Sequence, residues 1–98
     1  MQISEYLRKG ATNSTTAKEL CKVLNIDKRT LTAAIERERR QGSPICASCD
    51  THNPGYYLAE NKNEMQMYCK SLHRRAAEIY KTRAACLNTI NDLPEKEA

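Results

Sequence analysis

Two short segments between residues 16 and 41 each carry apolar residues at helical spacing. In the first segment these residues mark one buried face: Ala17, Leu20, Cys21 and Leu24. Thr16 precedes them as an N-cap candidate, and Glu19 follows three residues later, which is the spacing of a capping box. The pattern predicts a helix that begins after Thr16, with Cys21 as a small core residue.

The second segment follows a turn at Asn25 and Ile26 and predicts another helix. Asp27 is a good N-cap because its carboxylate can accept hydrogen bonds from the free amides of the first helical turn. The buried stripe consists of three residues: Leu31, Ala34 and Ile35. Gly42 is a natural place for this helix to stop.

A β-hairpin is predicted after the second helix. Residues 43–49 and 56–59 are strand-like runs, and residues 50–55 between them are rich in turn formers. The predicted order is therefore helix, helix, hairpin.

The last large segment, residues 63–93, predicts one long helix of roughly eight turns. Asn63 and Gln66 can cap its start, and Pro94 can end it. A coiled-coil seam of alternating three- and four-residue steps runs along it: Met65, Cys69, Leu72, Ala76, Ile79, Arg83, Cys86 and Ile90. This seam favours pairing with a second copy of the chain. The alternatives are a helix that folds back on its own domain and one that stays partly exposed.

The outer side of the second helix is basic and rich in hydrogen-bonding groups. At 3.6 residues per turn it carries Lys28, Arg29, Thr32, Ala33, Glu36, Arg37 and Arg40. Such a face is typical of a helix that lies in the major groove of double-stranded DNA, with Arg29, Thr32 and Ala33 near base edges. On this interpretation phosphates are contacted by Lys28, Arg37 and Arg40. The alternative is an ordinary solvated helix surface.

The residues around the hairpin resemble the winged helix-turn-helix family, and more closely its small bacterial and phage regulatory domains. The resemblance rests on an RxxG-x-PI…GYYLA pattern: Arg39, Gly42, Pro44, Ile45, Gly55, Tyr56, Tyr57, Leu58 and Ala59. It covers residues 1–59 and implies that Ile3, Tyr6 and Leu7 form the first helix of a three-helix core. It also implies that His52 and Asn53, at the tip of the wing, contact DNA. The predicted wing has no Lys or Arg between Gly42 and Glu60, which leaves DNA affinity mainly to the second helix.

One residue departs from the family pattern. Glu38 occupies a position near the end of the second helix that is usually apolar. Because an unpaired carboxylate is costly to bury, we expect Glu38 near the rim of the core, beside an arginine.

Composition limits the classes of function. The chain has 98 residues and a formal net charge of +4, which suits a small domain with an acidic partner. No apolar run is long enough to span a membrane and no export signal is present, so we expect a cytoplasmic protein. Five cysteines without an export signal indicate reduced thiols. Zinc bound by Cys46, Cys49 and His52, with Cys69 or His73 as fourth ligand, is the alternative.

The sequence thus predicts a mainly α protein with a small β-hairpin: a winged helix-turn-helix domain over residues 1–60, a long amphipathic helix over 61–93 and a tail over 94–98. We expect a bacterial or phage transcriptional regulator that binds double-stranded DNA as a homodimer. Neither enzymatic activity nor a cofactor is expected, because the chain contains no phosphate-binding loop, nucleophile elbow or paired His ligands. The main alternative is a protein-interaction module, such as a replication or recombination accessory factor, assembled through the long helix. A metal or thiol sensor is a third hypothesis.

Overall fold

The computed structural model describes residues 2–48 and 54–96. It contains three α-helices, one antiparallel pair of strands and short 3₁₀ helices. In chain order the main elements are α1 (Ala17–Leu24), α2 (Lys28–Arg40), β1 (Ile45–Ser48), β2 (Gly55–Leu58) and α3 (Lys62–Leu87). The predicted fold class is confirmed: a mainly helical protein with a small β-hairpin and a long C-terminal helix.

The N-terminal segment is shorter and less helical than the resemblance implied. A single 3₁₀ turn, Ile3–Tyr6, stands where a full helix was expected. Ile3 and Leu7 are buried in the core, as predicted, but Tyr6 remains 43% exposed. Four residues cannot make the repeated i→i−4 hydrogen bonds that stabilise an α-helix, so this turn depends on contacts from the rest of the domain.

Strand β2 is paired along both of its edges. On one side it pairs with β1, with Ile45 opposite Leu58 and Cys46 opposite Tyr57. On the other side the segment before α1 forms isolated bridges, in which Thr15 and Tyr56 exchange backbone hydrogen bonds of 2.9 and 2.8 Å. The hairpin is therefore tied to the chain that leads into α1.

The predicted N-caps of α1 and α2 are confirmed. Thr16 Oγ1 accepts from the Glu19 amide at 3.1 Å, and Asp27 Oδ1 accepts from the Thr30 amide at 2.7 Å. Between the helices, Asn25 adopts the left-handed conformation (φ 55°), and its amide donates to the Cys21 carbonyl. One residue in this conformation reverses the chain and leaves Asp27 free to begin α2.

One apolar core holds α1, α2 and one face of the hairpin together. Its buried members are Ile3, Leu7, Leu20, Leu31, Ala34, Ile35 and Ile45. All three residues of the stripe predicted for α2 belong to it. The other face of the hairpin packs in a second cluster, in which Cys46 and Tyr57 meet Tyr68 of α3.

Helix α3 begins and ends earlier than predicted. Its start is capped by Asn61, whose side chain accepts from the Glu64 amide at 3.0 Å, so the predicted cap at Asn63 and Gln66 is wrong. The Glu64 carboxylate accepts from the amides of Glu60 (2.7 Å) and Ala11 (3.0 Å), and these hydrogen bonds lower the pKa of Glu64. The helix stops at Leu87, before Pro94, and a 3₁₀ turn follows at Ile90–Asp92.

The chain divides into two compact units, Met1–Tyr68 and Cys69–Ala98. The first two turns of α3 therefore belong to the first unit, whereas the sequence placed a boundary after residue 60. In the described part of the second unit no side chain is buried. No helix within the described residues is long and apolar enough to cross a membrane.

Candidate nucleic-acid interface

The outer side of α2 presents every site residue that the sequence placed on this helix. All seven are solvent-exposed: Lys28, Arg29, Thr32, Ala33, Glu36, Arg37 and Arg40. The buried residues of α2 lie on the opposite arc of the helix. Because the core fixes the rotation of α2, these seven side chains share one solvent-facing surface, called here the outer face of α2.

The N-terminal half of the outer face forms a shallow open depression of about 600 Å³, lined by Lys28, Arg29, Thr32, Ala33 and Glu36. Ala33 has no atoms beyond Cβ, so a neighbouring surface can approach the backbone closely there. Thr32 Oγ1 donates to the Lys28 carbonyl at 2.9 Å. The hydroxyl oxygen of Thr32 can still accept a hydrogen bond from outside, and its methyl group adds apolar contact area.

Positive charge dominates the outer face. It carries four Lys or Arg residues and one carboxylate, Glu36. Among the described residues, the side chains of Lys28, Arg29 and Arg37 make no hydrogen bond or ion pair. Arg40 differs, because its Nη2 lies 3.0 Å from Glu36 Oε1 in a solvent-exposed ion pair. Three cations of the outer face therefore have no ion-pair partner among the described residues, and the fourth, Arg40, is paired with Glu36.

The start of α2 carries a charge that interacts with the helix itself. The hydrogen bonds of Asp27 with Thr30 lower the pKa of Asp27, so this carboxylate is ionised at neutral pH. It satisfies an amide of the first turn, which would otherwise be free to bind a phosphate. The positive charge that α2 offers to solvent therefore comes from its Lys and Arg side chains more than from the helix N-terminus.

Glu38 holds α2 against the N-terminal segment, and its predicted location is wrong. The side chain is only 2% exposed and lies in the core, not at the rim. Its Oε2 accepts from the Ile3 amide at 2.6 Å, and its Oε1 accepts from the Ser4 amide at 3.0 Å. Backbone amides, rather than the expected arginine, compensate the buried carboxylate, because the 3₁₀ turn presents two free N–H groups to it.

Arg39 links the end of α2 to the hairpin and to α3. Its Nε donates to the Ile45 carbonyl at 2.9 Å, and its guanidinium lies over the Tyr68 ring, 5.0 Å from the ring centre. Its Nη2 is buried without a hydrogen-bond partner among the described residues. The sequence placed Arg39 in the family pattern but assigned it no role. Arg37 is also an arginine near the end of α2, but it faces solvent. The two arginines differ in environment because they lie at different angles around the helix axis.

The predicted wing contacts, His52 and Asn53, lie outside the described residues, as does Cys49 of the zinc alternative. Cys46 is fully buried and packs with Tyr57 and Tyr68. Burial, with a contribution from Cys46, raises the pKa of Tyr57 to about 12, so this phenol stays protonated. Within residues 2–48 and 54–96, no three His, Cys, Asp or Glu side chains are grouped closely enough to hold a metal ion.

Comparisons with protein-family models, curated proteins and solved structures give no match to this chain. The case for a function therefore depends on the geometry and charge of the outer face of α2.

Proposed function

We propose that this protein binds double-stranded DNA through the outer face of α2, as a transcriptional regulator of the bacterial or phage type. The observation that carries the proposal is the exposed array of Lys28, Arg29, Arg37 and Arg40 on a helix whose other side is fixed in the core. A rigid basic helix is the usual element for reading the major groove. The regulatory role comes from the resemblance of the sequence.

The two ends of the outer face have different chemistry, and we assign them different roles. Near the start of α2, Arg29 stands beside the small Ala33, an arrangement that suits close approach to base edges, where arginine pairs with guanine. Near its end, Arg37 is an exposed cation that, unlike Arg40, has no ion-pair partner among the described residues, and it suits a phosphate. His52 and Asn53 remain candidate contacts of the wing.

Replacing Arg37 by alanine should weaken DNA binding uniformly across sequences. In a titration of a labelled random-sequence duplex followed by fluorescence anisotropy, we expect binding to weaken steeply with salt. The slope of log K against log salt should be about 1 smaller in magnitude for Arg37→Ala, because one phosphate contact is lost. Lys62→Ala removes the same charge from an exposed residue outside the outer face of α2 and outside the second unit, and is the matched control. If the unmodified protein does not bind even at low salt, the proposal is wrong.

Replacing Glu36 by glutamine should have the opposite effect. The change removes the one carboxylate of the outer face and releases Arg40 from its ion pair, so affinity for the random-sequence duplex should rise about fivefold. Glu5→Gln is the control, because it removes one negative charge from an exposed side chain outside the outer face of α2 and outside the second unit. Equal increases for both variants would show that net charge, and not the outer face of α2, controls binding.

We further propose that the protein acts as a homodimer through α3. Beyond Tyr68 this helix exposes several large apolar side chains: Leu72, Ile79, Tyr80 and Leu87. A dimer would present two copies of α2 to a two-fold symmetric operator and raise affinity through effective concentration. The same exposed side chains support the second candidate function, a protein-interaction module assembled through α3. Weaker DNA binding in Arg37→Ala, with the dimer intact, would favour DNA recognition over this alternative.

A further inference from the structure

We propose that two copies of the second unit pair antiparallel, so that the basic stretch of residues 69–83 lies against the acidic segment of residues 84–96 from the other copy. This inference rests on the proposed homodimer and specifies its orientation. It does not depend on DNA binding.

The first observation is that the second unit has no core of its own. Its helical part, residues 69–87, makes up most of α3, and its described residues bury no side chain. Most helical stability in proteins comes from packing an apolar face, and residues 69–87 leave theirs exposed. A partner surface on this part of α3 would therefore stabilise the helix.

The second observation is the distribution of apolar side chains along the unit. The basic stretch contributes Leu72 (38% exposed) and Ile79 (68%), and the acidic segment contributes Ile90 (55%) and Leu93 (63%). Leu87, at 44%, lies between these pairs. Apolar surface thus extends past the end of α3 into the 3₁₀ turn and beyond. A partner must cover both stretches, and a second copy laid along the whole unit does so.

The third observation, which sets the direction, is a reversal of charge along the chain. Residues 69–83 contain five Lys or Arg and one Glu, a net charge of +4, with His73 counted as neutral. Residues 84–96 contain one Lys and two acidic residues, a net charge of −1. A parallel pair in register would set +4 against +4. An antiparallel pair places each basic stretch beside an acidic segment, twice in one symmetric dimer.

Arg83 does not decide the direction. It is the one charged residue of the predicted seam, and a parallel pair would bring the two copies of Arg83 together. In the antiparallel pair, the overlap of residues 70–75 with residues 90–95 places the two-fold axis next to Arg83, so the two copies also come close there. The direction is therefore set by the charges of the two stretches as a whole.

The orientation is tested by disulfide cross-linking between two different variants. The exposed Cys69 and Cys86 are replaced by serine, and Lys70→Cys and Glu95→Cys are then made as separate proteins in that background. We expect the mixture to form a 70–95 cross-link under mild oxidation, identified by peptide mass spectrometry. Dominant 70–70 and 95–95 cross-links in the separate proteins, with none between them in the mixture, would overturn the antiparallel pairing.

Charge reversal provides a second test that needs no cysteine. Lys70→Glu should weaken the dimer about tenfold at low salt in sedimentation equilibrium, because two attractive contacts become repulsive. Adding Glu95→Lys should restore the affinity if the two residues face each other. A monomeric mass near 11.2 kDa for the unmodified chain at 100 µM would reject any dimer. The duplex titration is scored separately, so DNA binding by a monomer would leave the proposed function of α2 standing.

Discussion

Gly55→Ala should lower the free energy of unfolding by about 3 to 5 kcal/mol, the largest loss expected from any single change considered for this chain. Gly55 begins β2 with φ +121°, a backbone conformation that residues with a Cβ rarely adopt. A Cβ at this position would also overlap the Thr15 carbonyl group and lie 2.8 Å from the Thr16 nitrogen. The Thr15 carbonyl group belongs to the backbone, so it cannot rotate away as a side chain can.

The clash would affect α1, which packs against α2, as well as strand β2. Thr15 exchanges two backbone hydrogen bonds with Tyr56, and Thr16 caps α1. Moving Thr15 away from a new methyl group would therefore disturb one edge of β2 and the start of α1 together. We therefore expect a weaker helical signal in circular dichroism as well as a lower free energy of unfolding.

Gly42→Ala is the matched control for this prediction. Gly42 also has positive φ, +105°, but a Cβ there meets no atom within 4 Å. In this variant only the strain of the left-handed backbone should lower the free energy of unfolding, by about 1 to 2 kcal/mol. Urea denaturation followed by circular dichroism measures both variants. Equal losses would mean that backbone conformation, and not the contact with Thr15, determines the cost at Gly55.

The sequence predicted the elements that are specified by local signals. Thr16 and Asp27 were recognised as caps because an N-cap acts within three residues of its own position. The stripe of Leu31, Ala34 and Ile35 is predictable because these residues stand at positions i, i+3 and i+4, within about one turn of the helix. The same reasoning grouped the outer face of α2 correctly, since the exposed arc is the complement of the buried one.

What the sequence could not predict depends on contacts between distant parts of the chain. The partners of Glu38, the amides of Ile3 and Ser4, are 35 and 34 residues away in the sequence. The cap of α3 was misplaced because Asn61 and Asn63 look alike locally. Glu64 distinguishes them by also accepting from the Ala11 amide, a contact that only the fold creates. The inward turn of Arg39 toward Tyr68 likewise depends on where α3 lies.

Glu38→Ala should lower the free energy of unfolding by about 3 kcal/mol. The substitution removes both acceptors of the Ile3 and Ser4 amides and leaves a void beside the core. Glu38→Gln keeps the volume and one carbonyl oxygen, so it should lose less, about 1 to 2 kcal/mol. Because Ile3 is itself a core residue, loosening the 3₁₀ turn should also expose apolar surface next to α2.

Glu36→Ala is the control for Glu38→Ala, since it removes the same side chain from the same helix two residues earlier. Glu36 is exposed and contributes one surface ion pair, so this loss should stay within about 0.5 kcal/mol. Hydrogen exchange gives a local measurement to set beside urea denaturation: the Ile3 amide should lose protection in Glu38→Ala and keep it in Glu36→Ala. If both variants unfold at the same urea concentration as the unmodified chain, the Glu38 carboxylate is not what holds the N-terminal turn on α2. The position of α2, and with it the orientation of its outer face, would then depend on the apolar contacts of Leu31, Ala34 and Ile35 and on the hydrogen bond of Arg39.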